Sequence, residues 1–492
     1  MKVLIISANR NIYPEPVMPV GACVAAEAAQ EAGHEVKLLD LMFERDPGHA
    51  VRSAIRMFNP DVTGISIRNI DNNDIAEPAM FYGELKAITR AVRKELAGQP
   101  LIIGGAALSV MPRELLVETG ADLAILSDGE RVFPAVLDAI ASGKKPDGLR
   151  GTARMENGLF VSVPAPRMQS VAGPPAYEKW LNTRRYLSML STAPLLTKAG
   201  CHFECVYCTY RKLGRKLDGK PDDGKGHYEF MEPAEAARHI ERLFKTGFRD
   251  IEFVDNVFNS PPWHAAALCE EVIKRKIGAR LHTIELNPLF ISQDLVQSME
   301  KAGFAGVGIT AESASDQVLA RLKKGFLAEH VRRAAQILRK SGLPCLWIFM
   351  LGGPGETPET VSETIQFART NLKPQDVAFF NVGIRIYPGT ELERIARAEG
   401  LLSITPSEML APVFYLSPLI NFDWLFRKLE VAIEGNLNII DIRSMQSKYL
   451  PRIRRLSGRF GVKPPLWRHT AFIRRGMAIL GIGQAGLGIG TR

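Results

Sequence analysis

The sequence predicts an α/β protein with two successive parallel sheets, because two separate series of strands and helices alternate along the chain. Short apolar segments rich in β-branched residues alternate with helical segments over residues 1–146, and a second alternating series starts near residue 188. The chain has 492 residues, of which 46% are hydrophobic and 23% charged. These totals are typical of a globular protein with several domains, each large enough to bury its own core.

The first series predicts a flavodoxin-like, doubly wound domain over residues 1–146. Helices are expected between its strands, for example at Val20–Ala32 and Met80–Leu96. Alternation of this kind favours a parallel sheet covered on both faces, with ligands beyond the carboxyl ends of its strands. The predicted strands are Lys2–Ile6, Val36–Leu39, Val62–Ile67, Leu101–Ile103 and Leu123–Leu126.

Residues 147–187 form a predicted connector, since Gly and Pro recur there and periodic patterns are weak. Residues 188–400 contain six strand–helix units, which predict a partial (β/α)6 barrel with its site at the strand carboxyl ends. Residues 401–492 are expected to be a mostly helical extension, loop-rich towards its end. The predicted barrel strands are Ser188–Thr197, Asp250–Val254, Arg280–Glu285, Gly306–Ala311, Cys345–Leu351 and Asp376–Ile386.

The net charge of +9 is concentrated near the end of the chain. Residues 442–492 contain eleven Lys or Arg and no Asp or Glu, so the first 441 residues carry a net charge of −2. Such a basic segment suits an anionic membrane or nucleic acid. Six cysteines without regular spacing are not a disulfide framework, which favours a reducing, cytoplasmic location.

Three of the six cysteines, Cys201, Cys205 and Cys208, lie within eight residues. A structural zinc site needs four ligands and a disulfide needs two thiols. Three thiolates would hold a 4Fe–4S cluster and leave one iron open, as a catalyst requires. A zinc loop remains the alternative at this point.

The CxxxCxxC spacing, with Tyr207 before the last cysteine, resembles the cluster motif of radical S-adenosylmethionine (SAM) enzymes. The resemblance implies that SAM chelates the open iron. Later strand ends also resemble that family: "EFVDNVFN", "GITAESASDQVLARLKKG", "MLGGPGET" and "RIYPGTEL". By the same resemblance, the expected SAM-binding residues are Asp255, Asn256, Glu312, Ser313, Lys324, Gly352, Gly353 and Tyr387.

A doubly wound domain before such a barrel resembles the cobalamin-dependent branch of the family. The segment "GGAALSVMPRELLVETGADLAILSDGE" carries the resemblance, although Ser127 and Asp128 stand where Gly and Glu are usual and a DxHxxG motif is absent. The resemblance implies bound cobalamin without a histidine ligand. The expected cobalamin contacts are Ser66, Arg68, Asn69, Gly104, Gly105, Gly129 and Glu130.

The resemblance implies a methyltransferase that moves a methyl group from SAM, via methylcobalamin, to a carbon of a small-molecule or lipid substrate. Ring formation or oxidative rearrangement is an alternative, and a non-catalytic cobalamin and iron–sulfur sensor is an alternative of another class. Tyr210 and Glu204, beside the cysteines, are the candidate catalytic residues. An external reductant such as flavodoxin or ferredoxin is the expected partner.

The basic C-terminal segment mixes cations with Leu, Ile, Phe and Trp, which suits contact with an anionic membrane surface. A helical cap over the barrel without a membrane role is the alternative, and nucleic-acid binding is a weaker third reading.

Overall fold

A computed structural model of the protein describes residues 1–164, 171–209 and 228–479. Its first sheet has the strand order β2-β1-β3-β4-β5-β6-β7, and β1 to β5 are parallel. This order confirms the flavodoxin-like prediction. The strands are β1 (Lys2–Ser7), β2 (Glu35–Asp40), β3 (Val62–Ser66), β4 (Leu101–Gly104), β5 (Leu123–Ile125), β6 (Thr152–Glu156) and β7 (Leu159–Ser162).

Five helices accompany the parallel strands of this sheet. The helix boundaries follow local chemistry: the Asp46 side chain accepts from the His49 backbone N–H before α2, and Asn59 ends α2 in the left-handed conformation. The helices are α1 (Val20–Glu31), α2 (Pro47–Phe58), α3 (Tyr82–Glu95), α4 (Pro112–Thr119) and α5 (Gly129–Ala141).

The sheet continues past residue 146, into the predicted connector. Strands β6 and β7 form an antiparallel hairpin that pairs with β5. Two short helices follow, α6 (Tyr177–Trp180) and α7 (Thr183–Leu187). The hairpin thus belongs structurally to the first sheet.

The second sheet is parallel throughout and has the order β18-β15-β14-β13-β12-β11-β8. Its first six strands in chain order confirm the predicted partial barrel, and β18 adds a seventh that was not predicted. The strands are β8 (Ala193–Leu195), β11 (Asp250–Phe253), β12 (Arg280–Leu286), β13 (Phe304–Glu312), β14 (Cys345–Leu351), β15 (Val377–Val382) and β18 (Ile439–Asp441). Two small antiparallel pairs lie beside the barrel: β9 (Lys198–Ala199) with β10 (Glu229–Phe230), and β16 (Ile384–Arg385) with β17 (Phe414–Tyr415).

Helices follow the barrel strands. Further helices make up much of the described C-terminal extension, including its later part, which was expected to be rich in loops. The barrel helices are α8 (Pro233–Lys245), α9 (Pro262–Arg275), α10 (Gln293–Ala302), α11 (Asp316–Arg321), α12 (Ala328–Arg339), α13 (Pro358–Asn371) and α14 (Glu391–Ala398). Those of the extension are α15 (Phe422–Ile433), α16 (Ile442–Met445), α17 (Leu450–Arg459) and α18 (Thr470–Ile479). Within the described ranges, no helix has both the length and the apolar character needed to cross a membrane.

The two sheets share buried contacts along their junction. One hydrophobic cluster contains Leu4 and Ile65 from the first sheet together with Ile384 and Leu392 from the barrel side. The first sheet and the barrel side therefore pack against each other through a shared hydrophobic core.

Candidate active site

The three clustered cysteines lie in a loop that is fastened at its centre. The Val206 N–H donates to the Leu322 carbonyl (3.2 Å), and the Val206 carbonyl accepts from the Leu392 N–H (2.9 Å). Cys201, Cys205 and Cys208 are partly exposed and form no disulfide. Burial, together with the neighbouring Cys205 and Cys208, raises the pKa of Cys201 to about 11.

This donor set fits an iron–sulfur cluster better than a single ion. Among the residues that the structure describes, no three His, Cys, Asp or Glu side chains converge on one metal ion. The irons of a cube stand apart, so its thiolates do not need to converge on a point. Three thiols on one short loop, none of them in a disulfide, would hold three irons. Glu204 is exposed beside them, and Tyr210, the other candidate catalytic residue, lies outside the described residues.

A buried triad links the cysteine loop to the barrel. The Tyr207 hydroxyl donates to Glu312 Oε1 (2.8 Å), and Lys324 Nζ donates to the same oxygen (2.9 Å) and to the Tyr207 hydroxyl (3.0 Å). Burial disfavours the charged amine, but Glu312 and Tyr207 raise the pKa of Lys324 well above its usual value. Lys324 therefore stays charged beside a carboxylate.

Glu312 fits the predicted role of a sugar-hydroxyl acceptor. It is 3% exposed, and its Oε2 has no hydrogen-bond partner among the described residues. Its backbone has φ +61°, left-handed and strained for a residue with a side chain, where β13 shifts register against β14. The structure thus leaves one carboxylate oxygen available for a ligand such as a ribose hydroxyl.

Other predicted SAM contacts are already engaged within the protein. Both Asp255 oxygens accept bonds from Thr197, and one also accepts from the Lys198 N–H, so Asp255 ties the end of β11 to the end of β8. The Ser313 hydroxyl lies 3.1 Å from Thr364 Oγ1. Tyr387 donates to Asn73 of the first domain (2.8 Å).

The Gly-rich turn after β14 is also closed by its own side chain. The N–H groups of Gly352 and Gly353 both donate to Glu356 Oε2. Gly352 has φ +92°, which favours glycine. Asn256 differs, because its buried Nδ2 has no partner among the described residues and remains available for a ligand.

The predicted cobalamin contacts gather at the carboxyl edge of the first sheet, where the strand register aligns Ser66 with Ser7 and with Gly104. A cavity of about 360 Å³ opens there, lined by Arg68, Asn69 and others. The volume lies at the lower end of the usual range for ligand sites, so the cavity fits a part of so large a cofactor.

Two glycines at this edge leave open space and a third has a backbone role. A side chain at Gly129 would meet no atom within 4 Å, and one at Gly104 would approach only Ile125, at 3.8 Å. Gly105, with φ +104°, instead packs against the Ile67 backbone, where any Cβ would collide. Ser127 Oγ is buried without a partner among the described residues, and burial raises the pKa of Glu130. Open space and an unsatisfied hydroxyl fit a bound cofactor.

Sequence comparison agrees with both halves of this site. Residues 195–368 match the radical SAM superfamily, and residues 10–137 match the B12 binding domain. The chain is a cobalamin-dependent radical SAM enzyme.

Relatives of this enzyme include methyltransferases. An uncharacterized methyltransferase of Pyrococcus horikoshii is 25% identical over 82% of this chain and 84% of its own length. The tryptophan 2-C-methyltransferase of Streptomyces laurentii is 22% identical over 77% of this chain and 72% of its own. The radical SAM methyltransferase TsrM from Kitasatospora setae, solved with cobalamin and a [4Fe-4S] cluster, superposes with a TM-score of 0.81 at 22% identity, covering 98% of this chain and 99% of that one.

Two carboxylates at the site were not singled out from the sequence. Glu252 accepts from Thr192 Oγ1 (2.7 Å), and burial and the neighbouring Glu15 raise its pKa to about 7. Glu285 is the next-to-last residue of β12, which pairs with β11, carrying Glu252, and with β13, carrying Glu312. Their positions near strand ends were the available signal. Glu252 opens the segment "EFVDNVFN" but was given no role there, and Glu285 lies outside the quoted motifs.

Proposed function

We propose that this cobalamin-dependent radical SAM enzyme is a C-methyltransferase for a small molecule bound between its two domains. When bound, the iron–sulfur cluster, SAM and cobalamin would supply the methyl group and the reactivity to transfer it. The chain supplies three thiols to hold the cluster, the free Glu312 oxygen to orient SAM, and open space beside Gly104 and Gly129 for cobalamin.

The observation that carries the proposal is the chain of charged neighbours between the two cofactor sites. Arg68, at the predicted cobalamin edge, interacts electrostatically with Glu252 of the barrel. Glu252 in turn neighbours Glu285, which neighbours Glu312 and Lys324 at the predicted SAM site. Methyl transfer from one cofactor to a carbon needs both cofactors at one enclosed space.

The proposal is tested first on cofactor content. The protein is purified anaerobically with cobalamin supplied, and iron, sulfide and cobalamin are measured per chain. We expect about four irons and one cobalamin, and transfer of a labelled methyl group from SAM to the bound cobalamin by mass spectrometry. Replacement of all three cluster cysteines by Ala should remove the iron, whereas Cys269→Ala, in the barrel helix α9, should retain it. A purified protein that holds iron but no cobalamin would overturn the proposed methyltransferase function.

A second proposal concerns membrane contact, and it is supported by the outer face of α17. Arg454 and Gly458 face the protein, whereas Arg452, Arg455, Leu456 and Arg459 are exposed. These four fall on one side of the helix at 3.6 residues per turn. Leu456 is 52% exposed and Phe460, just beyond, is 83% exposed. Cations beside exposed apolar side chains complement an anionic lipid surface.

Vesicle flotation tests this contact. Each cation near an anionic membrane contributes about 1 kcal/mol, so the double variant R455E/R459E should bind phosphatidylserine vesicles at least about tenfold more weakly than the wild type. The matched control K144E/K145E changes two exposed lysines of the first domain. Equal binding of the two double variants to phosphatidylserine vesicles would contradict the membrane proposal. So would wild-type binding to neutral vesicles that is as tight as its binding to phosphatidylserine vesicles.

A further inference from the structure

Glu285 has an unusual environment for a carboxylate at the end of a buried strand. Its backbone carbonyl accepts from the Phe258 N–H (2.7 Å), which fixes its place at the carboxyl end of β12. Its side chain is partly buried. Among the described residues, it makes neither a hydrogen bond nor an ion pair. A side chain held in place but left without a partner is available to a ligand.

The position of Glu285 is between the two predicted cofactor sites. On one side it neighbours Glu252, which interacts with Arg68 of the cobalamin domain. On the other side it neighbours the Glu312–Lys324 pair. A substrate that receives a methyl group must occupy this same interval, so Glu285 lies where the substrate must be bound.

The nearby cations are committed to other carboxylates. Lys324 is bonded to Glu312 and Tyr207, and Arg454 is bonded to Glu15. Arg68 interacts with Glu15 and Glu252. Among the described residues, none of these three cations is therefore paired with Glu285.

The energetic consequence is that, among the described residues, no cation is bonded to the Glu285 carboxylate itself. Burial raises the pKa of Glu285 to about 8; Lys324 opposes this rise, and the carboxylates of Glu312 and Glu252 add to it. Close by, Glu312 Oε2 is nearly fully buried and also without a partner among the described residues. An incoming cation would favour the ionised form of Glu285. It would also give Glu312 Oε2 a partner.

We propose that Glu285 determines substrate specificity by binding a protonated amine of the substrate, and this proposal rests on the proposed methyltransferase function. The amine N–H donates to the Glu285 carboxylate, which loses its own proton to solvent on binding. No covalent bond changes in this step. The substrate class is thus a small organic amine whose carbon framework extends towards the predicted SAM site.

Calorimetry on the holoprotein, with cluster, cobalamin and SAM present, tests the assignment. The probes are tryptamine and 2-phenylethylamine, with indole-3-propionate as an anion of similar size. Titration in two buffers of different ionisation enthalpy reports the protons released. We expect both amines to bind more tightly than the anion and to release close to one proton. Glu285→Gln should weaken amine binding at least tenfold and abolish proton release, whereas Glu270→Gln, exposed on α9, should behave as the wild type.

The outcomes separate this proposal from the function beneath it. Failure of the wild type to bind either amine, tighter binding of the anion, or unchanged proton release in Glu285→Gln would each overturn the role of Glu285. A loss of SAM binding in Glu285→Gln, measured without amine, would assign Glu285 to the cofactor instead. Absence of methyl transfer from SAM to cobalamin, with amine binding intact, would overturn the proposed function alone.

Discussion

Lys324 shows how much depends on a single buried charge. It is 6% exposed and its ammonium bonds to both Glu312 and Tyr207. Removal of one partner from a buried pair typically costs about 3–5 kcal/mol, because the remaining charge is left uncompensated. Lys324→Met should therefore lower the melting temperature strongly and weaken SAM binding, as measured by calorimetry and equilibrium dialysis.

The neighbouring Lys323 provides the control. It pairs with Glu391 at the surface, where its side chain is 46% exposed. Exposed pairs contribute only about 0–1 kcal/mol, so Lys323→Met should leave both properties nearly unchanged. Equal effects of the two substitutions would contradict the role of burial.

The buried carboxyl group of Glu356 should make the stability of the protein depend on pH. It is fully buried, and burial raises its pKa to about 7 although two backbone N–H groups donate to it. Because the folded pKa lies above the unfolded value, its contribution is favourable below about pH 4.5 and is lost as pH rises through 7. Glu356→Gln cannot ionise, so it should gain up to roughly 3 kcal/mol relative to the wild type between pH 5 and pH 8.

Denaturant unfolding at the two pH values measures this difference. Gln retains an oxygen that can accept from Gly352 and Gly353. Glu363→Gln, exposed on helix α13 just after this turn, is the surface control. A constant difference between Glu356→Gln and the wild type at both pH values would show that Glu356 does not titrate in this range.

At the scale of elements, the sequence predicted strands that are buried on both faces and missed those that depend on a neighbour. Strands such as Cys345–Leu351 are continuous apolar segments, a pattern typical of parallel sheets. Strand β18 has only three residues and is paired with β15 through distant chain contacts. Strands β6 and β7 form an edge hairpin with a mixed pattern. Short edge strands owe their stability to pairing, which local sequence does not encode.

The same distinction applies to the site. The cysteine motif is local, so its spacing, together with its resemblance to the family motif, was enough to predict the cluster ligands. The Glu312–Lys324–Tyr207 triad and the position of Glu285 depend on side chains from separate strands and loops. Motif resemblance found Glu312 and Lys324, but Glu285 belongs to no motif. The engaged state of Asp255 could not be predicted either, because its partners, Thr197 and Lys198, precede it by nearly sixty residues.

Helix α17 depends on one buried arginine for its position. Arg454 donates to the Pro14 carbonyl (2.7 Å) and the Met189 carbonyl (3.2 Å), and pairs with Glu15 (2.9 Å). Arg454→Gln removes the ion-pair partner of Glu15 and should cost about 3 kcal/mol. We expect faster proteolytic cleavage within the C-terminal extension. Arg455→Gln, exposed on the same helix, should be cleaved at the wild-type rate, and equal rates for the two variants would mean that α17 is held by other contacts.

At the scale of the whole molecule, the two domains are joined through a fully buried ion pair. Arg385 Nε of the barrel side lies 2.8 Å from Asp71 Oδ2 of the first domain, and both side chains are at most 3% exposed. Arg385 also donates to the Met409 carbonyl (2.6 Å). Since the hydrophobic cluster at the junction contains residues of both domains, we expect them to unfold together.

Asp71→Asn tests this coupling, because it removes the charge and keeps the shape. Arg385 would then be buried without its carboxylate, at a cost of about 3–5 kcal/mol. On heating, the visible absorbance of the cluster reports the barrel and that of cobalamin reports the first domain. Both signals should disappear at one temperature, which is lower in Asp71→Asn than in the wild type. The control Glu156→Gln disrupts an exposed pair with Arg154 and should change little. Loss of the cobalamin signal alone would mean that the domains unfold independently. The spacing between the two cofactor sites, where Glu285 lies, would then depend on bound ligands rather than on the fold.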